Sequence, residues 1–75
     1  MSGEAYAVIV TYSTSYALRA EKVLAEVGIV CKLVPLPRHI SSDCGVCVRI
    51  ARDDADAAIR ALAGARVDFE GVHDI

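Results

Sequence analysis

Hydrophobic and polar positions along the 75-residue chain follow two different periods. Short runs of β-branched residues, or of alternating apolar residues, are typical of strands, whereas apolar residues spaced three and four apart are typical of helices. On this basis we predict four strands and two helices. The predicted strands cover about residues 6–12, 29–34, 46–51 and 66–72, and the predicted helices cover about residues 14–27 and 54–63.

Residues that begin and end helices support these boundaries. Ser13 and Thr14 can cap the first helix and Asp53 can cap the second, because short polar side chains accept the unpaired N–H groups of a first turn. Gly28 and Gly64 stand where a left-handed residue is expected to end each helix. Both helices carry a stripe of mainly small apolar residues. The stripes consist of Ala17, Ala20, Leu24 and Val27 in the first helix and Ala55, Ala58, Ile59 and Leu62 in the second.

The two halves of the chain repeat one pattern. Val46 follows Val8 by 38 residues and Gly64 follows Gly28 by 36, so a strand and a helix recur at nearly the same interval. A β-α-β-β-α-β order with this repeat predicts an α+β, ferredoxin-like split βαβ sandwich. Its four-stranded antiparallel sheet would carry both helices on one face. Residues 1–75 would form one domain, because so short a chain buries one core.

Composition narrows the class of protein. The chain has 8 basic and 10 acidic residues, so it offers no broad positive field for nucleic acid or for an anionic membrane surface. No apolar run approaches the roughly 20 residues of a membrane span, and Met1-Ser2-Gly3-Glu4 lacks the basic start of a secretory signal. We therefore expect a cytoplasmic protein. A core with only four aromatic side chains is thin, which favours a homodimer.

Cys44, in the run Ser41-Ser42-Asp43-Cys44-Gly45, is the candidate functional residue. We expect an exposed and reactive thiol, because the predicted fold brings the loop before the third strand to the start of the first helix. The N–H groups of that helix end would favour a thiolate. The residues expected to gather at this edge of the sheet are Thr11, Ser13, Thr14, Arg38, Ser41, Ser42 and Cys44.

Neighbours of Cys44 could assist the thiol. Arg38 carries a permanent charge whose planar fork suits an anionic group, whereas His39 and His73 are more simply ordinary polar residues. Gly45 has no Cβ and would let a ligand or a partner chain approach the backbone. The plainer interpretation is that Cys44 is a small apolar residue that opens a strand.

Cys31 and Cys47 raise two further possibilities. Cys44 and Cys47 form a C-x-x-C spacing, but an odd offset along a strand puts side chains on opposite faces, so a disulfide would need a turn at Gly45. We therefore rank thiol-disulfide activity below a single-cysteine site, and expect Cys47 to be half-buried, under the helices or at a subunit contact. A metal site built from Cys31, His39, Cys44 and Cys47 is disfavoured, because a structural zinc site usually needs a second closely spaced pair. Cys31 is expected to be a core or sheet-face residue.

The run around Cys44, together with further stretches along nearly the whole chain, resembles a small family of selenium/sulfur (Se/S) carrier-like proteins. The specific part is Pro37-Arg38 followed by Ser41-Ser42-Asp43-Cys44-Gly45. Further matching stretches are Thr11-Tyr12-Ser13-Thr14, Ala17-Leu18-Arg19-Ala20-Glu21, Val34-Pro35-Leu36 and Phe69-Glu70-Gly71-Val72. Where members of that family usually carry a small apolar residue, this chain has Cys47, which makes the C-x-x-C spacing look incidental.

The resemblance implies a carrier, rather than a turnover enzyme, that holds a sulfane sulfur or selenium atom on Cys44 as a persulfide or selenosulfide. It would need no metal and no cofactor. Its partners would be donor proteins, such as a cysteine desulfurase-like enzyme, and acceptor proteins of sulfur or selenium transfer. The assisting residues would be Ser13, Thr14, Arg38, Ser41, Ser42 and Gly45. The alternative is a dimeric regulatory module of the same fold that binds a small anion at the same edge.

Overall fold

The computed structural model describes residues 5–40, 42 and 44–75, which form one antiparallel sheet and two helices. The elements are β1 (Tyr6–Val10), α1 (Thr14–Glu26), β2 (Cys31–Pro35), β3 (Val46–Ala51), α2 (Ala55–Gly64) and β4 (Gly71–Asp74), with a 3-10 turn at Arg52–Asp54. The strands lie side by side in the order β2-β3-β1-β4. The predicted α+β, ferredoxin-like fold is therefore confirmed. Neither helix in this part of the chain has the length and apolar content needed to cross a membrane.

Strand β1 lies inside the sheet, between β3 and β4. Its residues from Ala7 to Val10 are at most 1% exposed. Because successive side chains of a strand point to opposite faces, a strand that is apolar throughout must be covered on both faces. Two separate apolar clusters provide this cover, one on each side of the sheet.

The larger cluster lies between the sheet and the two helices. Its buried members are Ala7, Ile9, Ala17, Ala20, Leu24, Val48, Ile50, Ala58, Leu62 and Val67. Because this set joins both helices to alternate residues of β1 and β3, both helices lie on the same face. Val27 and Ile59, which we expected in the buried stripes, are 57% and 37% exposed. Val27 is the C-terminal cap of α1, and Ile59 lies at the margin of the stripe, beside the buried Ala58.

The smaller cluster covers part of the opposite face. Val8 and Val10 of β1 meet Cys47 of β3 and Ile40, and the partly buried Leu36 packs against them. Ile40 and Leu36 belong to the connection between β2 and β3, so this connection folds over a face that the helices leave open. Cys47 is fully buried on the face opposite the helices, so a half-buried position and a place under the helices are both wrong, while a subunit contact stays a prediction. Its pairing with Val10 in the sheet fixes that orientation.

The last strand begins later in the chain than predicted. We predicted a strand over residues 66–72, but β4 is Gly71–Asp74. The N–H of Val67 donates to the Leu62 carbonyl at 2.9 Å, which closes the end of the second helix. Val67 and Phe69 pack against the core from the connection that follows, rather than from a strand. The alternation of apolar residues here therefore comes from side chains buried in the core, and these residues do not pair with another strand.

The first two strands have different ends from those predicted. β1 stops at Val10, because the following residues turn into the cap of α1. β2 starts at Cys31, because the N–H of Ile29 donates to the Leu24 carbonyl at 2.9 Å and still belongs to the helix end. Pro35 is the last residue of β2, which tolerates a proline because β2 is an edge strand. The bounds of β3 agree with the prediction.

Only the first helix is capped as expected. Ser13 is the N-cap of α1 and its Oγ accepts the N–H of Tyr16 at 3.4 Å, while Thr14 is the first helical residue. Gly28 follows the helix in the left-handed conformation, with φ of 82°. Asp53 does not cap α2, because it lies in the 3-10 turn and neither that turn nor α2 has a side-chain cap.

The second helix is followed by a residue whose backbone is left-handed although it carries a side chain. Gly64, expected to stop α2, is its last residue, and Arg66 has φ of 58°. A left-handed residue with a Cβ costs roughly 1–2 kcal/mol, because its Cβ approaches the following carbonyl oxygen. This helix end therefore carries backbone strain that a glycine would remove.

Replacing Arg66 by glycine is expected to raise the free energy of unfolding by roughly 0.5–1 kcal/mol, after the added flexibility of the unfolded chain is counted. Gly28→Ala is the matched control and should lower it by about 1 kcal/mol or more. A Cβ on Gly28 meets nothing within 4 Å, so only backbone strain acts there. Urea unfolding measures both changes. A less stable Arg66→Gly variant would mean that the arginine side chain contributes more than its backbone strain costs.

Candidate functional site

Cys44 lies at the end of the connection between β2 and β3, two residues before β3 begins. Its side chain is 3% exposed, so our expectation of an exposed thiol is wrong. The sulfur is turned into the edge of the sheet. Sγ lies 3.1 Å from the carbonyl oxygen of Val46 and 3.7 Å from Oγ1 of Thr11, the buried residue that follows β1.

Both contacts of this sulfur are to oxygen atoms. Thr11 Oγ1 donates its single proton to the Ser13 carbonyl at 2.9 Å. The S–H group of Cys44 is therefore the donor toward the Val46 carbonyl or the Thr11 oxygen. The N–H groups at the start of α1, which we expected beside the sulfur, make no hydrogen bond to it among the described residues.

Ser42 links Cys44 to the segment before β4. Its Oγ accepts the N–H of Cys44 at 3.2 Å and donates to Oε2 of Glu70 at 2.6 Å. A contact to the Thr11 carbonyl at 3.5 Å is long and would need the same proton. The bond to the carboxylate is the stronger one, because charge-assisted hydrogen bonds are short and strong. Thr11, Ser42, Cys44 and Glu70 thus form one connected group, which we name the thiol cluster.

Glu70 is the member of the thiol cluster that the sequence did not predict as a site residue. Its N–H donates to the Val10 carbonyl at 2.7 Å, which brings it alongside the end of β1. The carboxylate then meets Ser42, which is 28 residues away in the chain. Nothing local in the sequence marks such a contact. The signal that could have found Glu70 was its place in the stretch Phe69-Glu70-Gly71-Val72, on which the family resemblance partly rests.

Several predicted site residues are not bonded into the thiol cluster through their side chains. Ser13 uses its Oγ to cap α1 and reaches the cluster only through its carbonyl. Thr14 and Arg38 are exposed, and neither side chain bonds to the cluster among the described residues. Ser41 lies outside the described residues. Within the part of the chain that the structure describes, the charged side chain bonded into this edge is therefore a carboxylate.

Gly45 has space around it. It is exposed, and a Cβ placed on it would meet no heavy atom within 4 Å. Its backbone is not in the left-handed region, unlike that of Gly28. Its carbonyl accepts the N–H of Leu36 at 3.1 Å, a bond that any residue could make. The fold itself does not require a glycine at this position, and a role in admitting a ligand or partner stays a prediction.

The other two cysteines lie in strands where burial holds them protonated. Burial raises the pKa of Cys47, and the charge that Cys44 would carry as a thiolate adds to the rise. Burial also raises the pKa of Cys31, with a further contribution from the carboxylate of Glu21. All three cysteines are free. In the described residues, no three His, Cys, Asp or Glu side chains are grouped so that they could hold a metal ion.

Together, the sheet topology and the thiol cluster define a small ferredoxin-like domain with a cysteine enclosed at one edge of its sheet. The chain belongs to the family described as "Putative Se/S carrier protein-like", which it matches over residues 6–74. This match spans all four strands and both helices, so the resemblance seen in the sequence is confirmed. Neither the curated proteins nor the solved structures provide a match to the chain.

The free energy of unfolding is expected to fall as the pH rises above about 8.5, the ordinary pKa of a cysteine thiol. Because the pKa of Cys47 is raised, the folded protein keeps a proton that the unfolded chain has already lost. The stability that the raised pKa of Cys47 contributes is fully present at neutral pH, and it is lost as the pH rises through the folded-state pKa. Cys47→Val, an apolar replacement of similar size, should flatten the alkaline fall. Urea unfolding of both proteins at several alkaline pH values measures the difference.

Cys31 is present in both proteins and serves as the internal reference for this measurement, because its pKa is also raised. If the free energies of unfolding of the wild type and of Cys47→Val fall in parallel from neutral to alkaline pH, the buried thiol of Cys47 does not contribute to the pH dependence of stability.

Proposed function

We propose that this domain carries a sulfane sulfur or selenium atom on Cys44, as a persulfide or a selenosulfide, between a donor protein and an acceptor protein. The observation that carries the proposal is the thiol cluster. Of the three cysteines, Cys44 alone lies outside a strand and has a side-chain hydroxyl near its sulfur, Thr11 Oγ1 at 3.7 Å. Membership of the Se/S carrier-like family supports the same role.

Sulfur transfer to Cys44 needs no external oxidant. The Cys44 sulfur attacks the outer sulfur of a donor persulfide, and the S–S bond of the donor breaks as the new S–S bond forms. The electron pair leaves with the donor sulfur, which takes up the proton that Cys44 loses. One thiol and one persulfide are therefore converted into one persulfide and one thiol. Attack of an acceptor nucleophile on the outer atom releases it and restores the Cys44 thiol.

The hydroxyl of Thr11 is suited to assist this exchange. At rest it donates to the Ser13 carbonyl at 2.9 Å, and rotation about one bond would direct its proton toward the Cys44 sulfur instead. A hydroxyl that donates to a charged sulfur stabilises the form that reacts. Ser42 holds the backbone of Cys44 through the N–H bond at 3.2 Å, so the thiol stays aligned with Thr11.

Burial implies that the transfer includes an opening step. At 3% exposure, the Cys44 side chain offers no direct path for a donor. The transferred atom also lengthens the side chain by one S–S bond, about 2.05 Å. The Cys44 side chain must therefore move away from the sheet edge by local opening before the donor reaches it. The closed form would shield the thiol from oxidants between transfers, because oxidation follows exposure.

The alternative function, a dimeric module that binds a small anion at this edge, has less support. An anion site needs convergent donors or cations, whereas the charged side chain bonded into the thiol cluster is the carboxylate of Glu70. Arg38, the cation expected to serve, is exposed and makes no bond to the cluster among the described residues.

Incubation of the wild-type protein with a cysteine desulfurase and L-cysteine is expected to add one sulfur atom, detected by intact-protein mass spectrometry and removed by a reducing agent. Cys44→Ser should gain nothing, because an alcohol does not form a persulfide. The variant should remain folded, since the serine hydroxyl can make the same bond to the Val46 carbonyl. The same reaction with selenocysteine as the substrate of a selenium-releasing lyase tests the selenium cargo.

Cys31→Ser and Cys47→Val are the matched controls, and both should accept the atom as the wild type does. The proposal fails if Cys44→Ser is still loaded, or if the wild type stays unloaded while the desulfurase carries its own persulfide. Loading of Cys47 instead of Cys44 in a peptide map would also refute it.

Gly45→Ala is expected to leave the free energy of unfolding within about 0.5 kcal/mol of the wild-type value, because the added methyl group meets open space. If a partner must approach this backbone, the methyl group should slow loading from the desulfurase on the order of tenfold, the equivalent of about 1.4 kcal/mol. Gly64→Ala, also in open space but on α2, is the control and should load at the wild-type rate. Equal rates in all three proteins would exclude close approach at Gly45.

A further inference from the structure

Two basic side chains lie side by side on the face of the sheet opposite the helices. Lys32 of β2 pairs with Arg49 of β3, Arg49 pairs with Val8 of β1, and Val8 pairs with His73 of β4. These positions alternate with the residues that face the helices, so their side chains share the other face. We name Lys32 and Arg49 the basic row. Val8 is fully buried and packs against Ile40 and Leu36, so it separates the row from His73. The basic row therefore lies on two neighbouring strands, about 4.8 Å apart.

The charges of the basic row are not neutralised within the described part of the chain. Lys32 is exposed and Arg49 is half-buried, and the ion pair found there joins Arg52 to Asp74 at 3.4 Å. Two like charges directly opposite each other on neighbouring strands destabilise a sheet. A lysine on the edge strand β2 is explained by protection against edge-to-edge pairing. That explanation does not extend to Arg49, which lies on an inner strand.

The shape of this surface excludes an enclosed small molecule. The depression beside Lys32, Arg49 and Tyr6 has a volume of about 110 Å³. Pockets that enclose small ligands usually hold about 300–1,000 Å³. A shallow surface with two adjacent cations instead fits an extended, acidic polypeptide, whose carboxylates can contact two neighbouring strands.

A nucleic acid fits the same surface less well. Single-stranded nucleic acids bind sheets through aromatic side chains on which bases stack, together with a positive groove. The aromatic ring beside the basic row is that of Tyr6, and one face of it is covered by the Arg49 guanidinium, 4.3 Å from the ring centre. The chain as a whole is also acidic, with a net charge of −2.

We infer that the basic row is a docking surface for an acidic segment of a partner protein. The cations of Lys32 and Arg49 attract the carboxylates, and the stacked Tyr6 ring fixes the direction of the Arg49 guanidinium. The inference does not depend on sulfur or selenium transfer, because none of the residues in the row belongs to the thiol cluster.

The test is a titration of fluorescently labelled dodecaglutamate with the folded protein at low ionic strength, followed by fluorescence anisotropy. The double variant Lys32→Gln/Arg49→Gln should bind roughly tenfold more weakly than the wild type. Lys22→Gln/Arg60→Gln removes the same charge from exposed positions on the two helices and should bind as the wild type does. Added salt should weaken wild-type binding, because these charges lie at the surface.

A single variant controls for the possibility that the double variant does not fold. Lys32→Gln alone changes an exposed side chain without a described partner, keeps the Arg49 stack, and should weaken binding by a smaller factor than the double variant. Cys44→Ser should bind dodecaglutamate as the wild type does, so failure of this inference and failure of the carrier function can be told apart. Equal weakening in the helix control, absence of peptide binding, or tighter binding of an oligouridylate of the same charge would each overturn the inference.

Discussion

Strand β1 is apolar on both of its faces, and much of the molecule follows from the need to cover it. The two helices cover one face through small residues that lie close to the sheet. The other face has no helix, so the connection between β2 and β3 supplies Leu36 and Ile40 over Val8 and Val10. The connection that covers this face of β1 also carries Cys44, which is buried two residues before β3.

The thiol cluster combines two properties that act against each other. An enclosed sulfur is protected, whereas a carrier needs a sulfur that can attack. In the closed form, the Val46 carbonyl and the hydroxyl of Thr11 satisfy the thiol. The family to which the chain belongs is described by the carrier role, and the proposal reconciles that role with burial through an opening step. Reactivity would then be set by how often the edge opens, in addition to the properties of the thiol itself.

The sequence predicted those features that local chemistry determines. Element order, the bounds of β3, the Ser13 cap and the left-handed Gly28 all depend on neighbouring residues, and all are confirmed. The β4 prediction was wrong because Val67 and Phe69 have the alternation of a strand but lie in a connection that packs on the core.

The features that the sequence could not predict depend on contacts between distant segments. Glu70 meets Ser42 across 28 residues, and the exposure of Cys44 depends on which way its connection folds. The full burial of Cys47 was missed for the same reason. Its alternation in β3 was read correctly, but nothing in a loop sequence says that it will fold back over the sheet. The family resemblance identified Cys44 as the residue of interest without indicating its burial.

The bond from Ser42 to Glu70 sets a scale for how rarely the edge opens. The bond from Ser42 to Glu70 is exposed to solvent, so it contributes only about 0.5–1.5 kcal/mol, and removing Ile40 from its apolar contacts would cost about 1.5–3 kcal/mol more. An opening that breaks both would cost about 2–4.5 kcal/mol, so roughly one molecule in thirty to one in two thousand would be open at any moment. A donor that waited for such events would load the protein slowly. A partner that takes over the Glu70 carboxylate or the Ile40 side chain as it docks would supply this free energy itself, and loading would then be confined to proteins that recognise the closed edge.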